Sequence, residues 1–105
     1  MSTGLFVVPN HEELGRHVRH ALRGLPNVDT LVRRLDETAN QQMTGRTFAG
    51  VLDDLFGSWA PGAPRDLVEP FLKHIIDQVI GDNEEARRSA LERIESGTRA
   101  VANAS

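Results

Sequence analysis

DLVEPFLKHIIDQVI, residues 66–80, carries the densest apolar pattern of this 105-residue chain. Leu67 and Val68, Phe71 and Leu72, Ile75 and Ile76, and Val79 and Ile80 recur as doublets every four residues, which is helical spacing. At about 100° per residue they cover more than half the circumference, too wide an arc for a surface helix with one buried stripe. The stretch therefore predicts a central helix with neighbours on several sides. Pro70 lies near its first turn, where a missing amide donor costs least, and Gly81 closes it.

Upstream, three more segments show the same spacing. Residues 10–25 bury Leu14, Val18, Ala21, Leu22 and Leu25 on one face, with Asn10 and Glu13 in capping-box register and Gly24 and Pro26 as terminators. A second segment starts near Asn27 or Asp29, carries Val28, Leu31, Val32 and Leu35, and dissolves in the polar residues 40–42. The third begins at Thr44 as a cap, presents Phe48, Val51, Leu52, Leu55 and Phe56, and stops at Gly57. GSWAPGAP, residues 57–64, has two prolines and two glycines in eight positions and reads as the one true loop, between a three-helix half and a two-helix half.

Downstream of Gly81, Asp82 with Glu85 predicts the start of a last helix that reaches about Ala102, with Ala86, Ala90, Leu91, Ile94, Gly97 and Val101 inward. Leu5, Phe6, Val7 and Val8 fit no helical period and are stopped by Pro9. Four consecutive apolar residues predict an extended arm, residues 1–9, packed on the bundle or on a neighbour. Together these features predict an all-α fold: one domain over residues 1–105, a compact bundle of about five helices around the apolar helix of residues 66–80, with the N-terminal arm.

Composition narrows the chemistry. There is no cysteine, so disulfides, thiolate nucleophiles and cysteine-based metal sites are excluded. The net charge is −3, no footprint for wrapping a polyanion. The glycines form neither GxGxxG nor GxxxxGK[ST]. Asp53 and Asp54 are adjacent, which sets them about 100° apart on a helix instead of converging on one site. His17 and His20 lie among Arg16, Arg19 and Arg23, cations that repel a metal ion. No enzyme activity, cofactor or metal is expected, and a cytoplasmic protein with no membrane segment is the default reading.

The function expected is a non-enzymatic protein–protein interaction or assembly module whose partner is itself or another protein. Its candidate interface comprises the arm residues Leu5, Phe6, Val7 and Val8, the lone Trp59, and the small-residue seam of Ile94, Gly97 and Val101. Trp59 is either a lid over the core or an exposed anchor, with the lid preferred. The alternative is a small DNA-binding regulator of helix-turn-helix type over residues 28–56, with Arg16, Arg19, His20, Arg23, Arg33 and Arg34 as phosphate contacts. Nucleic acid is disfavoured because the third segment turns acidic at Asp53 and Asp54. An apolar-ligand carrier lined by the fourth helix is a third class.

Overall fold

The computed structural model describes residues 4–104, with side chains described as far as residue 97. In chain order the elements are β1 (Leu5–Val7), α1 (His11–Ala21), α2 (Val28–Leu35), a 3-10 turn (Asp36–Thr38), β2 (Gln42–Thr44), α3 (Gly45–Trp59), α4 (Arg65–Ile80) and α5 (Glu84–Ala104). The five helices and the extended arm follow the expected pattern. α4 packs on α1, α3 and α5, which gives it the central position that its wide apolar arc requires. Its burial is uneven, however. Leu72, Ile75, Ile76, Val79 and Ile80 are buried, whereas Val68 and Phe71 are half-buried and Leu67 is 62% exposed.

Two of the expected caps are present. Asn10 Oδ1 accepts the Glu13 amide at 2.9 Å, and Thr44 Oγ1 accepts the Thr47 amide at 3.0 Å, each satisfying a first-turn donor with no helical acceptor. The cap of α5 is Asn83 rather than Asp82: its Oδ1 accepts the Ala86 amide at 3.1 Å. Its Nδ2 donates to the Leu5 carbonyl at 2.9 Å, a second bond that an aspartate could not make.

Three boundaries depart from the sequence reading. α1 stops at Ala21 because the chain turns at residues 22–24, where Gly24 takes a left-handed φ of 89°. α3 runs through Gly57 to Trp59, so the loop shrinks to residues 60–64. The cause is Trp59: its indole N–H donates to the Asn27 carbonyl at 2.8 Å and its ring meets Phe56 edge-on at 5.4 Å, anchoring the extra turn. β2 replaces the end of the second segment, because residues 42–44 pair antiparallel with β1 in the register Leu5↔Thr44, Phe6↔Met43 and Val7↔Gln42.

That pairing resolves the arm. Side chains alternate across a strand, so Phe6 and Val8 turn inward and are buried while Leu5 and Val7 face out. Phe6 meets Phe48 of α3 edge-on at 5.5 Å, a favoured aromatic geometry. The arm closes the chain's own core. The buried cluster draws on β1 and all five helices, including Phe6, Leu14, Leu31, Phe48, Ile76 and Ile94, so the two halves on either side of residues 60–64 share one interior. The radius of gyration, 13.1 Å, matches a compact chain of about 100 residues.

Candidate functional site

The uneven burial of α4 opens a groove. Leu67, Val68 and Phe71 of α4 face Phe56 and Trp59 at the end of α3 and Leu25 in the turn after α1, enclosing about 280 Å³. Ala60, Ala63, Pro26 and Asn27 complete the lining, which contains no charged side chain. Leu67 and Leu25, at 62% and 38% exposure, are two of the four large apolar side chains left exposed among the described residues. The indole polar group is already bonded to Asn27, so Trp59 offers the groove an apolar ring and no free donor. It is at once a lid over Phe56 and part of an open surface.

The other expected interface residues lie elsewhere. Phe6, Val8 and Ile94 are buried in the chain's own core, and Leu5 and Val7, at 41% and 62% exposure, form the outer face of β1. Gly97 lies under a cluster of ions: a Cβ there would meet Arg65, Arg93 and Asp53 side chains at 2.9, 3.3 and 3.4 Å. The Val101 side chain falls outside the described residues. The small residues of α5 thus serve close packing within the chain, with Ala86, Ala90 and Ile94 fully buried.

Asp53, unremarkable in the sequence beside Asp54, is the hub of that cluster. Its carboxylate accepts from Arg65 of α4 and from Arg93 of α5 at 3.2 Å, and Arg65 also donates to the Ile94 carbonyl at 3.2 Å. One α3 acid therefore ties three helices together. Further along α4, Lys73 reaches Glu69 at 2.9 Å and Glu95 of α5 at 3.2 Å. The hydrogen bond to Glu69, aided by Glu95, lifts its pKa above the ordinary lysine value despite partial desolvation.

The arginine stripe is dispersed. Arg19 bonds Asp29 at 3.1 Å, Arg34 donates to Ser58 Oγ at 2.8 Å, Arg16 lies 3.9 Å from Glu13, and His20 sits against His74 of α4 with ring centroids 6.1 Å apart. Arg23 and Arg33 are exposed. α2 and α3 are separated by the 3-10 turn and β2, not by the three or four residues of a helix-turn-helix. The first turn of α3 is also partly covered, since Gly45 is buried against the Ala86 backbone. No group of three or more metal-ligating side chains occurs among the described residues, and among them no helix is long and apolar enough to cross a membrane. Comparison with protein-family models, curated proteins and solved structures returns no match.

Proposed function

We propose that this chain is a non-enzymatic helical interaction module that self-associates and, as part of the same reading, works in the cytoplasm. One observation carries it: an uncharged apolar groove with an exposed leucine on its rim. Single exposed apolar side chains need no explanation, but a contiguous apolar concavity is the kind of surface that a partner covers. The outer face of β1, with Leu5 and Val7, is the other surface available for assembly. The inner arm residues Phe6 and Val8 and, of the α5 seam, Ile94 and Gly97 are engaged within the chain, which among the described candidates leaves these two places. A duplex-DNA role has less support, because Arg19 and Arg34 already hold protein partners.

Sedimentation velocity over a micromolar concentration series tests the reading. The expected outcome is a mass-average that rises towards that of a dimer; a monomer at every concentration would refute self-association.

A further inference from the structure

We propose that the groove takes a second copy of this chain across a two-fold axis, with Leu67 of each copy seated between Leu25, Trp59 and Phe71 of the other. The inference rests on the interaction-module reading and assigns its surface and partner. A two-fold contact sets the same patch against itself, so it needs a patch that is its own complement. This one carries a hole of about 280 Å³ and, on its rim, an apolar knob exposed to 62%. No charge enters the lining, so closing the contact strands no ion away from water.

The flanks are complementary in the same sense. Arg23 borders the turn side, lining a shallow depression that shares Leu25 and Asn27 with the groove. Asp66 precedes Leu67 on the α4 side. Both are exposed, and neither has an ion-pair partner among the described residues. A two-fold axis running along the groove brings the turn side of one copy to the α4 side of the other, and so sets Arg23 near Asp66 twice. Ten residues line the groove against roughly 20–30 a side in a standard stable interface, so the contact is small and the dimer is reversible and not obligate.

The test is sedimentation of the full chain beside Leu67→Asp, Arg23→Glu, Asp66→Arg and the double exchange Arg23→Glu/Asp66→Arg, each checked for an unchanged melt. Leu67→Asp should leave the helical signal intact and yield a monomer. Each single charge reversal should weaken dimerisation roughly tenfold, and the double exchange should restore it. A dimer that survives Leu67→Asp overturns this inference and leaves the interaction reading standing, with the Leu5 and Val7 face as its surface. A wild-type monomer overturns this inference and self-association with it. If that monomer's Trp59 emission shifts on titration with decanoic acid, the groove holds a small apolar molecule; a shift with a synthetic leucine-rich amphipathic peptide makes the occupant a different protein.

Discussion

Gly45 and Gly50 lie five residues apart on α3, yet their surroundings make opposite demands. A Cβ on Gly45 would stand 1.8 Å from the Ala86 carbonyl oxygen and 2.6 Å from its carbon, backbone atoms of α5 that cannot move without shifting the helix. A Cβ on Gly50 would meet nothing within 4 Å. Gly45→Ala should therefore destabilise the fold by about 2–4 kcal/mol through forced separation of α3 and α5. Gly50→Ala should stabilise it by about 0.5–1 kcal/mol, because glycine in a helix interior loses more backbone entropy than alanine. Thermal melts of the two variants give the ranking, and similar values for both would mean that the helices do not approach so closely. The sequence does not distinguish these glycines. Close approach is a property of the pair Gly45 and Ala86, 41 residues apart in the chain, and neither residue is unusual where it stands.

At the level of elements, Asn83 links a helix start to a strand. Its two side-chain bonds, to the Ala86 amide and to the Leu5 carbonyl, separate cleanly by substitution. Asn83→Asp keeps the acceptor for α5 and loses the donor to β1, and Asn83→Ala loses both. The expected costs are about 0.5–1.5 and about 1–2.5 kcal/mol, read from denaturant midpoints; equal losses would mean that the bond to Leu5 contributes nothing. The helices themselves were legible because burial imposes a period on the sequence: Leu14 and Val18, Leu31 and Leu35, Leu72 and Ile76 are in phase and buried as read. β2 was not, since Gln42, Met43 and Thr44 offer one apolar residue between two polar ones, too short a pattern to mark a strand, and pair only because the arm lies alongside. The groove was half legible. The eight apolar positions of residues 66–80 exceed what α4 buries, and the surplus, Leu67 with Val68 and Phe71, marks the open face. That Trp59 and Leu25 stand opposite depends on how α1 and α3 end, which no local pattern records.

For the molecule as a whole, the Asp53 cluster ties together three of the five helices that share the core. The carboxylate and its two arginines are only partly exposed, with side-chain accessibilities of 16–30%, so removing the acid leaves two guanidinium groups facing each other in a poorly solvated place. Asp53→Ala should cost about 2–4 kcal/mol, more than a surface pair. Asp54→Ala, at an exposed position, should change the melt by less than about 0.5 kcal/mol. Equal effects at the two positions would show that the cluster holds nothing together.

The β1–β2 pairing also sets an order of events. Leu5 meets Thr44 across 39 residues and Asn83 across 78, whereas the helices close over short spans, and the entropy of loop closure rises with the length enclosed. While the chain is being synthesised, residues 5–8 wait for a strand partner until residues 42–44 exist, and for their last bond until Asn83 does. An apolar tetrapeptide without a partner is a site for mispairing. Gly4 and Pro9 stand on either side of it, and both are poor strand formers, so any accidental β-pairing of the nascent arm stays short and is easily undone before the proper partner arrives.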